Sequence, residues 1–152
     1  MIPTLRGRIQ TRIFLIVVVG GLWTAFIGLW LPGIPSGAEQ GDVYELLYKL
    51  LLAVVVLGVL WECVYHMLQQ FRWEKDWPTL FGFVEGINEG LLLWLLLQAD
   101  LVPWIDHGDA TPGTAFLWHF VTTWIACWAF GNGPMKVVFI RWRLQGGRLV
   151  GP

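Results

Sequence analysis

The sequence predicts an all-α integral membrane protein, a bundle of four transmembrane helices with both termini in the cytoplasm. Three observations predict it. Of the 152 residues, 56% are hydrophobic and only 14% charged, against about 25% charged in a soluble domain, and mean hydropathy is +0.59. Four apolar runs are each long enough to cross about 30 Å of hydrocarbon as a helix. Of the ten basic residues, all but Lys49 fall in segments that four spans place on one side, the asymmetry that marks a cytoplasmic face.

The first span is predicted over 13–31, "IFLIVVVGGLWTAFIGLWL". Pro32, Gly33 and Pro35 end it, because proline cannot continue the hydrogen-bond ladder. Arg6, Arg8 and Arg12 precede it and read as its cytoplasmic flank. The run is long and has no small-residue cleavage site, so it is expected to stay as a span and not to act as a signal peptide.

The second span is predicted over 43–68, around "LLLAVVVLGVLW". Arg72 and Lys75 follow it. The third is predicted over 79–99 and carries Glu85, Asn88 and Glu89 in its first half. The fourth is predicted over 113–130 and closes on "GNGP". The two outer loops hold Glu39, Asp42, Asp100, Asp106 and Asp109. Three or five spans would scatter the basic segments over both sides. Trp30, Tyr44 and Trp104 on the outside, with Trp73, Trp77 and Trp142 on the inside, fit an interfacial aromatic belt.

Lys136, Arg141, Arg143 and Arg148 lie in the tail 134–152, interleaved with apolar residues. That pattern predicts a segment in the interface, with arginine heads on anionic lipid phosphates, or packed on a partner's cytoplasmic face. Residues 1–152 thus form a single transmembrane domain, multi-pass, in a plasma or bacterial inner membrane.

Each span carries one small or polar stripe. Gly20, Thr24 and Gly28 are four apart, a ridge that lets another backbone come close. Gly82, Gly86 and Gly90 repeat it on the third span. Glu85 and Glu89 share a helix face with Asn88 beside them. The second span offers Gly58, Glu62 and His66 in one row. The fourth offers Ala115, His119, Thr123, Cys127 and Gly131. By depth, Glu62, His66, Glu85, Asn88 and Glu89 all belong to the inner half and are expected to converge on one polar cluster.

Three carboxylates and a histidine cannot all be charged in low dielectric. Protonation, or a cation from Arg72 or Lys75, is expected to neutralise them. Ala115-x-x-x-His119 resembles the Ala-x-x-x-His pattern with which bacterial antenna helices hold bacteriochlorophyll. The likeness covers five residues and implies a tetrapyrrole ligand at His119, with Ala115 leaving room for the ring.

No HExxH, GxSxG or Walker loop is present, and no catalytic residue or metal site is assigned. Cys63 and Cys127 lie in apolar segments without a CxxC spacing and read as small buried hydrophobes. Asp106, His107 and Asp109 read as a solvated turn before the fourth helix. No cofactor is specified, and no nucleic acid is expected among the partners. The expected partners are the lipid bilayer and other membrane subunits, or a second copy of the chain. The expected function is an accessory or structural subunit of a larger membrane complex. The alternatives are a small proton- or cation-coupled transporter using the Glu/His cluster, and a haem- or chlorophyll-type pigment-binding subunit.

Overall fold

The structure, a computed structural model, describes residues 4–34, 37–71, 79–105 and 113–150. Among them every regular element is a helix. The helices are α1 (Leu5–Ile27), α2 (Gln40–Gln70), α3 (Thr79–Gln98), α4 (Gly113–Asn132) and the short α5 (Pro134–Val138) and α6 (Ile140–Leu144). Three of them, α1, α2 and α3, are long and apolar enough to cross a membrane. Helix α4 is of similar length and has no Asp, Glu, Lys or Arg, but three tryptophans and a histidine lower its hydropathy.

The long helices pack in chain order, α1 on α2, α2 on α3, α3 on α4, and α4 back on α1. Leu47, Leu50, Ala53, Leu93, Ala115, Phe116 and Phe120 form the apolar core toward one end. Outward-facing residues are aliphatic and aromatic, with Leu22, Leu60 and Leu91 all exposed. That is the surface a lipid solvent requires.

The first helix differs from its predicted span. It starts eight residues earlier, at Leu5, and ends at Ile27. Thr4 caps it: its Oγ1 accepts from the Gly7 N–H at 3.2 Å. Helix formation through "LRGRIQTR" outweighs the charge that made this stretch look like a flank. The arginines become part of the helix.

Within α1, Leu15–Gly20 is a π-helical stretch. Arg8, Arg12, Ile16, Gly20, Thr24 and Gly28 are all buried, one every four residues. In a pure α-helix a four-residue row drifts by about 40° per step, roughly 200° over five steps. The wider π turn removes about 100° of that drift, one residue's worth. It keeps the inner arginines and the outer Gly20–Thr24–Gly28 ridge on a single inward face. The Cys127 thiol of α4 donates to the Leu15 carbonyl at 3.3 Å, where the ladder is rearranged.

The tail folds back on the start of α1. Gly146 and Gly147 turn the chain with φ of +62° and +84°. The Thr4 N–H donates to the Gly146 carbonyl at 2.9 Å, and the Thr11 hydroxyl to that of Gly147 at 2.9 Å. Trp142 Nε1 donates to Thr11 Oγ1 at 2.7 Å. The backbones approach so closely that a methyl group on Gly7 would stand 2.1 Å from the Gly146 oxygen.

The expected belt is partly spent on helix contacts. Tyr44 donates to the Ala25 carbonyl at 2.9 Å and Trp104 to that of Lys49 at 3.1 Å. Trp30 is exposed. Trp73 and Trp77 lie outside the described residues, as do Pro35, Arg72, Lys75, Asp106, His107 and Asp109.

Candidate functional site: a buried chain of alternating charges

Three acids and two arginines meet where α1, α2 and α3 come together. Arg8 Nε donates to Glu62 Oε2 at 2.6 Å, and Arg8 Nη2 lies 3.8 Å from Glu85 Oε1. Arg12 Nη1 lies 3.5 Å from the other Glu62 oxygen, Oε1, and Nη2 donates to Glu89 Oε2. The order is Glu85, Arg8, Glu62, Arg12, Glu89, with sign alternating at every step. All five residues are buried.

Each member is placed by simple spacing. Glu85 and Glu89 are one turn apart on α3 and meet Arg8 and Arg12, one turn apart on α1. Glu62 on α2 bridges both guanidiniums. The Arg12 head lies over Gly58, where a Cβ would stand 2.6 Å from Nε. On the far side its guanidinium carbon is 4.9 Å from the centre of the Trp124 ring on α4, within cation–π range. Arg12 therefore touches all three other long helices.

Arg72 and Lys75, the expected cations, lie outside the described residues; among the described residues the counterions for the acids are Arg8 and Arg12. The positive-inside reading assigned both to the cytoplasmic flank. Two signals pointed the other way: their four-residue spacing, and the excess of carboxylates in the second and third spans. Burial of any of these charges alone is costly. Alternation gives every guanidinium two carboxylate neighbours and Glu62 two guanidiniums, which is what makes buried ions tolerable.

The predicted cluster is brought together only in part. Glu62, Glu85 and Glu89 meet. His66 is half-buried and pairs with Gln70 on its own helix, Nε2 to Nε2 at 3.5 Å. It sits one turn beyond Glu62, past the reach of the arginines. Asn88 is exposed, beside Tyr65 of α2, because it lies about 100° round from Glu89.

The glycine ridges divide in the same way. On α1, Gly20 fits against Leu51, Thr123 and Cys127, and Gly28 against the Tyr44 ring. On α3, a Cβ on Gly86 would stand 2.3 Å from Trp124 Nε1, and one on Gly90 2.6 Å from Phe120. These glycines admit aromatic rings, not a bare backbone. A Cβ on Gly82 would meet no neighbour within 4 Å among the described residues.

His119 is buried between α4 and α1, its Nε2 2.9 Å from Thr24 Oγ1. Ala115, one turn before it, is buried in the apolar core. Among the described residues no group of three or more His, Cys, Asp or Glu is arranged to hold a metal ion.

No protein-family model, curated protein or solved structure matches the chain.

Proposed function

We propose that the protein is a structural or accessory subunit of a membrane assembly, built as a four-span bundle with both termini on the cytoplasmic side of a plasma or inner membrane. The observation that carries this reading is the internal pairing of the acids. Glu62, Glu85 and Glu89 each have an arginine of the same chain. They serve to fix the register of α1, α2 and α3, a use for which buried polar groups are best attested.

Helix α4 belongs to the bundle as a fourth span. It has no charged residue, and its polar side chains His119 and Cys127 point inward and are hydrogen-bonded to α1. Its partners in the assembly are other membrane subunits or a second copy. Purification in a mild detergent followed by mass analysis tests this: larger membrane subunits or a stoichiometric self-complex should travel with the chain. A lone monomer at every detergent concentration would contradict it.

A second reading, proton- or cation-coupled transport, has one observation in its favour. The alternating chain holds three carboxylates against two guanidiniums, and Glu89 Oε1 is buried with no hydrogen-bond partner among the described residues. One proton or small cation would balance the charge there. A pH-driven flux in liposomes that Glu89→Gln abolishes would favour transport; absence of any flux would remove it.

A further inference from the structure

The tail itself shapes an open pocket of about 500 Å³, lined by Val138, Ile140, Arg141, Trp142, Gln145 and Arg148 among others. The cavity is polar and apolar in similar measure, unlike the greasy grooves elsewhere on the molecule. Arg148 Nε is shielded and has no hydrogen-bond partner among the described residues. Neither Arg141 nor Arg148 has an ion pair among them. Residues 133–150 contain four basic side chains and no acid, and the chain has no acid before Glu39. A pocket with two guanidiniums that have no counter-charge among the described residues suits an anion, and the planar fork of arginine matches a phosphate.

The surroundings decide which phosphate. Val137, Ile140 and Leu144 on the same two short helices are exposed. They follow directly on the end of α4, where a span would leave the bilayer. Free phosphate has no use for that apolar margin. A glycerophospholipid uses both parts: the phosphodiester meets the arginines and the acyl chains run along the aliphatic side chains. We infer that this cavity is a binding site for the headgroup of an anionic phospholipid, with Arg148 and Arg141 on its phosphate and Gln145 beside its glycerol.

The site forms only when the turn at 145–148 is docked, since the Arg148 N–H bonds the Gln145 carbonyl at 3.2 Å and Gly147 is held by Thr11. Lipid binding therefore favours the docked tail by mass action. The inference rests on the chain sitting in a bilayer and not on any partner subunit. Release of the chain by alkaline carbonate would refute the bilayer itself, separately from the lipid test.

The test is native mass spectrometry of the full chain in uncharged detergent, with phosphatidylglycerol, phosphatidylcholine or inorganic phosphate added. The protein should retain one phosphatidylglycerol and prefer it over phosphatidylcholine. Arg148→Gln and Arg141→Gln should each weaken retention about tenfold, the scale of one charge-assisted phosphate contact. Lys136→Gln should leave it unchanged, because Lys136 Nζ is engaged by Asn132 Oδ1 at 3.2 Å. Both arginines lie outside the buried charge chain, so their variants should keep the wild-type fold. Equal retention of phosphatidylcholine, no loss in either arginine variant, or equally tight binding of inorganic phosphate would each overturn the assignment.

Discussion

The guanidinium of Arg12 rests on the bare Cα of Gly58, and a methyl group there would stand 2.6 Å from Nε and 2.9 Å from Nη2. Gly58 is therefore the floor on which one of the two cations of the buried charge chain lies. Alanine at 58 has to push Arg12 away from Glu62 and Glu89. Gly58→Ala should lower the unfolding free energy by about 1–3 kcal/mol, the usual cost of overpacking, despite the better helix propensity of alanine. Unfolding in mixed micelles by added SDS measures it, and a stabilised variant would speak against the contact.

Removal of one partner from the chain of charges should cost more. Arg12→Met leaves Glu62 and Glu89 buried without their shared cation, a defect on the order of 3–5 kcal/mol. Helicity by circular dichroism and protease resistance in detergent should both fall. A fully stable Arg12→Met protein would show that the acids find their counterion elsewhere.

The charge chain also shows what could be read from the residues and what could not. Hydrophobic runs placed α2, α3 and α4 within a few residues, because periodicity and length are local properties. The acidic face of α3 was legible for the same reason. Arg8 and Arg12 were not, since a rule that counts basic residues beside a span places them in water. Only the fold of the first helix back through Thr4 turns them inward. The π stretch at Leu15–Gly20 has no local signature either, as its cause is the need to face both Glu62 at one end and His119 at the other. The docking of Gly146 on Gly7 is a contact across nearly the whole chain, beyond any pattern of short spacing.

Two neighbours in the α3 glycine row make an internal comparison. A Cβ on Gly86 would stand 2.3 Å from Trp124, whereas one on Gly82 would meet nothing within 4 Å among the described residues. Gly86→Ala should destabilise by about 1–3 kcal/mol. Gly82→Ala should be neutral or stabilising by up to about 1 kcal/mol. Tryptophan fluorescence should shift for the first variant and not for the second; equal effects would refute the packing described.

Thr24→Val removes the hydroxyl facing His119 Nε2 without changing volume much. A buried imidazole nitrogen without a partner costs about 1–3 kcal/mol, and SDS titration should show a loss in that range. A visible absorbance band in the purified wild-type protein, lost in His119→Ala, would instead mean that the ring binds a pigment and that the α1–α4 contact opens.

The pairing of Arg12 with Glu89 is the point on which the rest depends, and a double-mutant cycle measures it most directly. Arg12→Met, Glu89→Leu and the double variant should be unfolded under identical micelle conditions. A buried pair predicts a coupling of about 1–3 kcal/mol, with the double variant more stable than Arg12→Met alone. Additivity within about 0.5 kcal/mol would contradict it and return the three acids to the search for a counterion.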